Sequence, residues 1–108
     1  MTKNYYLIYN DKVLDMSTDY DSLVEKIIGL NLHTDFYGEK INSREVYNSY
    51  YDWHSGLWSS CDGLIDKNNN VVSVIIIEEF YVNHYKDTNI PDIVNSYRKS
   101  VNLPPLED

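Results

Sequence analysis

The sequence predicts one α+β domain: a small antiparallel sheet of about four strands with two or three helices packed on it, in the order ββ-α-α-ββ-α. Three observations lead there. Residues 71–77 hold six Val or Ile out of seven, which suits a pleated surface and, without polar alternation, a strand covered on both faces. Tyr20, Leu23, Val24, Ile27 and Ile28 recur at the spacing of an amphipathic helix. Two apolar runs, 5–9 and 13–16, flank Asn10-Asp11-Lys12, whose Asn and Asp tolerate positive φ and so read as the turn of a hairpin.

Taken in order, the hairpin comes first, with Asp15 on the opposite side of its strand from Leu14 and Met16. Ser17 or Thr18 caps the first helix, Thr18 forming an approximate capping box with Asp21. Gly29 sits near its end, and Asp19, Asp21, Glu25 and Lys26 form its exposed face. A loop of about 12 residues follows and carries His33, Asp35 and Glu39. Asn42 or Ser43 opens a second helix bearing Val46, Tyr47, Tyr50, Tyr51 and Trp53. Residues 57–66 read as a strand with a possible bulge at Gly63, and 66–70 as a turn into the central strand 71–77. Phe80, Tyr81 and Val82 either continue that strand or bend away from it. Pro91 fits the first position of a last helix, with Ile93, Val94, Tyr97 and Val101 along one stripe and Arg98 and Lys99 in its final turn. Residues 1–102 form the domain, and 103–108, with Pro104-Pro105, an extended tail. The helices are expected on one face of the sheet.

The totals exclude several classes. The 108 residues make one ordinary domain with room for a surface cleft. No apolar run nears the roughly 20 residues that span a bilayer, and the N-terminus carries no secretion signal. A lone Cys61 forms no internal disulfide, which fits a cytoplasmic setting. Seventeen acidic against nine basic residues leave a net charge of −8, spread evenly over both halves. Such a surface repels phosphate backbones and suits a basic protein partner, although the same charge also serves plain solubility.

Catalytic patterns are thin. Cys61 has His54 seven residues earlier and Asp62 beside it, but strand alternation sends Cys61 and Asp62 to opposite faces. His33, His54 and His84 form no ligand spacing for a metal. The four glycines are isolated, so no phosphate cradle is indicated. Glu78 and Glu79 are adjacent and face opposite ways on a strand. The expectation is a non-enzymatic protein without cofactor or metal.

Two binding features remain. Residues 47–58 hold three Tyr and two Trp, a patch that serves either as satellite core or as interface anchors. Carboxylates crowd the first 25 residues and recur beside that patch. The candidate partner-binding set is Asp11, Asp15, Asp19, Asp21, Glu25, Asp35, Glu39, Tyr50, Tyr51, Asp52, Trp53 and Trp58. Carboxylates on a rigid frame can imitate backbone phosphates and steer a basic groove toward them.

Small size, acidity, eleven tyrosines, abundant asparagine and the lack of a catalytic motif together resemble phage-encoded inhibitors of bacterial defence, in general character the anti-CRISPR proteins aimed at Cas9-type nucleases. That resemblance implies an inhibitor that occupies the cationic PAM or guide channel of an effector in the host cytoplasm, with no cofactor, no direct nucleic-acid binding and no membrane. The chain would act as a monomer or small homo-oligomer. Other readings stay open: an immunity protein neutralising a toxin nuclease, a phage structural or accessory protein, and a small enzyme using Cys61 and His54.

Overall fold

The computed structural model describes residues 3–30, 32 and 74–107. They form an α+β fold with a three-stranded antiparallel sheet of strand order β2-β1-β3. The elements are β1 (Tyr5–Tyr9), β2 (Lys12–Ser17), α1 (Tyr20–Gly29), β3 (Ile75–Glu78), a 3₁₀ helix η1 (Glu79–Tyr85) and α2 (Ile90–Ser100). The expected long loop, the helix from Asn42 or Ser43, the aromatic patch, and the strand over 57–66 with its bulge and turn lie outside the described residues.

The hairpin forms as its chemistry dictates. Asn10 and Asp11 adopt φ of 50° and 64°, the backbone of a two-residue type I′ turn between Tyr9 and Lys12. The register then shifts between Leu7 and Ile8, so Leu14 is an extra residue in β2 and the pleat there is not regular. Among the described residues the middle strand is β1, not the Val- and Ile-rich stretch. That stretch supplies β3, which pairs with β1 from Tyr5↔Glu78 to Ile8↔Ile75.

The helices lie on both faces of the sheet, which corrects the one-face expectation. Directly opposed residues of an antiparallel pair share a face. Tyr6, Ile8, Val13, Met16, Ile75 and Ile77 therefore share one, and Tyr5, Leu7, Asp15, Ser17, Ile76 and Glu78 the other. Tyr97 and Arg98 of α2 meet Tyr6, whereas Tyr20 and Lys26 of α1 meet Tyr5 and Asp15. The physical cause is legible in β1: Tyr6, Leu7 and Ile8 are consecutive and all fully buried, so both sides of the strand need a cover. Ile75, Ile76 and Ile77 are likewise fully buried, as expected for a strand covered twice. Each such side chain contributes roughly 1.5–3 kcal/mol by leaving water.

Two local expectations shift. The N-cap of α1 is Asp19, not Ser17 or Thr18: the Asp21 amide donates to Asp19 Oδ1 at 3.1 Å. Ser17 is held in β2 opposite Tyr5, and its Oγ accepts from the Asp19 amide at 2.9 Å, so it supports the cap from one step back. Beyond Glu78 the chain bends away from the sheet into η1, whose Val82 is fully buried. The last helix runs from Ile90, with Pro91 in its first turn, to Ser100; Val101 caps it, and Asn102 just beyond adopts the left-handed region, φ 62°.

The tail is without regular secondary structure yet docked. The Leu103 amide donates to the Arg98 carbonyl at 2.8 Å, and the Leu106 amide to Asn95 Oδ1 at 2.8 Å. Asn83 Nδ2 donates to the Glu107 carbonyl at 3.0 Å, and Leu106 packs against the core.

Candidate functional site

The structure divides the described acidic candidates between two places. Asp19, Asp21 and Glu25 are exposed on α1, and Asp15 stands under the same helix, with Lys26 Nζ 3.5 Å from its Oδ2. Lys26, expected on the exposed face, is thereby turned toward the sheet and only partly exposed. Asp11 sits at the hairpin turn, at the opposite end of β2 from Ser17. Its Oδ1 accepts from Asn89 Nδ2 at 2.8 Å, beside the start of α2. Asp15 also accepts from the Met16 amide at 2.8 Å. Asp11, Asp15 and Asp19 thus each hold local structure as well as charge. The remaining candidates, Asp35, Glu39, Tyr50, Tyr51, Asp52, Trp53 and Trp58, lie outside the described residues, as do His33, His54 and Cys61.

Two open clefts flank α2. One, of about 480 Å³, runs between the hairpin turn and the helix, with Asp11, Asp92, Ser96 and Ser100 over a floor that includes Val13 and Ile93. The other, of about 560 Å³, lies between the helix and the tail and includes Asn95, Lys99 and Leu103. They share Asp92 and Ser96, so the outer ridge of α2 separates them. Among the described residues no three of His, Cys, Asp and Glu come together in a way that would hold a metal ion. No helix among them is long and apolar enough to cross a membrane.

Under α2 the fold closes a polar cluster that sequence reasoning missed. Tyr6 Oη donates to Glu79 Oε1 at 2.6 Å, and Arg98 Nη1 donates to Tyr6 Oη at 2.8 Å and to Glu79 Oε1 at 2.9 Å. Arg98 Nε donates to the Pro104 carbonyl at 2.7 Å, so the same guanidinium pins the tail. Burial, and next the hydrogen bond to Glu79, push the Tyr6 hydroxyl up from 10.0 to about 12 against the opposing pull of Arg98. At neutral pH Tyr6 is therefore a neutral donor that holds the Glu79 carboxylate. Glu78 points the other way: it is buried on the α1 face, with Lys3 Nζ 3.6 Å from its Oε1. Glu78 and Glu79 do diverge, but not by strand alternation as expected: β3 ends at Glu78, and Glu79 is the first residue of η1. The cluster joins residues 73 and 92 positions apart, and its only sequence signal is an arginine on the apolar side of the last helix.

In comparisons with known proteins, the chain matches no family model, no curated protein and no solved structure.

Proposed function

We propose that the chain is a non-enzymatic, acidic protein-binding inhibitor that blocks a cationic nucleic-acid-binding groove of a partner. A CRISPR-Cas effector nuclease is the partner its general character implies. The observation that carries this reading is the charge on α1. Three exposed carboxylates, Asp19, Asp21 and Glu25, stand on its first two turns, while its lysine, Lys26, is drawn to Asp15. Asp21 and Glu25 are four apart, which places their Cβ atoms about 5–6 Å from each other on a frame packed against the sheet. With a net charge of −8 behind them, these groups attract a basic groove from a distance and present fixed negative charge inside it.

The test is binding to guide-loaded CRISPR effector nucleases, and inhibition of their DNA cleavage, as salt rises. Affinity should fall more than about tenfold between roughly 0.05 and 0.3 M salt, because exposed charges are screened. The variant D19N/D21N/E25Q keeps the cap, since Asn caps a helix as well as Asp. It should bind about three- to tenfold more weakly, with a shallower salt dependence and an unchanged melting temperature. Affinity that is flat in salt, or unmoved by the triple variant, refutes the acidic face.

A further inference from the structure

Among the described residues β2 is an edge strand: it pairs with β1 alone, and Val13 to Ser17 stay partly exposed. Which of its backbone groups face outward follows from β1. The Glu79 amide donates to the Asn4 carbonyl at 2.8 Å, so Asn4 aims its backbone groups at the β3 side. Backbone direction alternates along an antiparallel strand, so Tyr6 and Ile8 also point to β3, and Tyr5, Leu7 and Tyr9 to β2. Met16 stands opposite Tyr6 and Val13 opposite Ile8. Neither bonds to β1, and the N–H and C=O of both point outward in the plane of the sheet.

Such an edge is a template for another strand. Two features restrict it. Leu14, the extra residue of the bulge, sets Val13 and Met16 three positions apart, whereas an incoming strand offers pairing groups every second residue. The Met16 amide is also already taken: it donates to Asp15 Oδ1 at 2.8 Å. Lys26 Nζ, 3.5 Å from Asp15 Oδ2, holds that carboxylate from α1. The bulge limits how far pairing runs; the Met16 amide decides whether it starts.

We propose that Asp15 closes the outer edge of β2 to strand addition, and that the strand it excludes is β2 of a second copy. The occupant follows from the geometry at Met16. Its N–H and C=O face outward together, so two copies related by a twofold axis would join their Met16 residues through two mutual hydrogen bonds. Each of those bonds needs a Met16 amide, so Asp15 intercepts both. The inference is independent of the basic-partner reading: it gives Asp15 a task at the edge of the sheet, whatever the carboxylates of α1 bind.

The test compares D15N with D15A in the full chain. Asp15 is 41% exposed, so neither substitution threatens folding. Both remove the same charge and the ion pair with Lys26, but the asparagine amide oxygen still accepts from the Met16 amide. In sedimentation equilibrium D15A should self-associate about tenfold more strongly than D15N, the yield of two regained amide bonds. In dilute D15A the Met16 amide should exchange its hydrogen about tenfold faster than in D15N, and slow again as concentration rises and the second copy covers it. Equal association of the two variants, or a Met16 amide that stays protected in dilute D15A, overturns the proposal. Association of D15A without renewed protection at Met16 overturns it too, because the contact then lies elsewhere.

Discussion

The two faces of the sheet are held in different ways. On the α1 side Leu23, Val24 and Ile27 are fully buried with Leu7 and Ile76, and the charged groups are exposed carboxylates, a half-exposed Asp15–Lys26 pair and one buried carboxylate, Glu78, answered by the exposed Lys3. On the α2 side, Ile90 and Val94 supply similar apolar cover, but a hydroxyl, a carboxylate and a guanidinium meet part-buried beneath the helix. Arg98 is only 11% exposed, against 40% for Lys26. An ion pair near water contributes little, whereas removing one member of a sheltered pair leaves the other charge without its partner. The α2 side therefore holds one cluster in which three groups share hydrogen bonds, whereas the α1 side holds separate ion pairs, one of them at the buried Glu78.

Arg98→Met should break the contrast most. It strands Glu79, removes a donor from Tyr6 and releases the tail at Pro104, and is expected to cost roughly 2–4 kcal/mol in urea unfolding. A loss below about 1 kcal/mol would put the α2 side in the same class as the α1 side.

Raising the pH sharpens the comparison next. The Tyr6 hydroxyl is raised in the folded chain, so its stabilising share is fully present below the unfolded value of 10.0 and is lost as pH climbs through about 12. Denaturant unfolding should weaken over that window by on the order of 2–3 kcal/mol. Tyr6→Phe should remove that part of the slope and cost about 1–2 kcal/mol at neutral pH. Equal alkaline slopes in the two proteins would show that the cluster does not govern Tyr6.

The smallest effect belongs to Lys26→Met. Its partner Asp15 is itself about two-fifths exposed, so the loss should stay within about 0.5–1 kcal/mol and shrink further in high salt. A larger, salt-insensitive loss would erase the difference between the faces.

Legibility in the sequence follows the range of the interactions. The hairpin turn at Asn10-Asp11, the stripe of α1, Pro91 at the start of α2 and the buried Ile75–Ile77 run were all readable, because each is set by neighbours within a few positions. The cap moved from Ser17 or Thr18 to Asp19 because Ser17 was already committed to pairing with Tyr5, a contact that spacing does not reveal. Arg98 reads as a dipole partner at a helix end, and only the approach of Tyr6 and Glu79 makes it the centre of a cluster. Of the candidate surface, the carboxylates on α1 follow directly from its periodicity. The bend at Phe80 was not legible in that way, since a strand continuing through Phe80-Tyr81-Val82 would have alternated those side chains instead of turning Val82 in and Phe80 out.

What the amino-acid order determined by itself was local: where strands and helices form, how the hairpin turns, and how much negative charge the surface must carry. What tertiary structure alone decided was the sharing of partners: two faces of one sheet each taking a helix, a bend after Glu78, and a guanidinium reached by residues from both ends of the chain. The reason is physical. Periodicity and turn chemistry act through bonds and nearest neighbours, whereas burial of a strand on both sides and satisfaction of sealed polar groups depend on whatever the whole chain brings within a few ångströms.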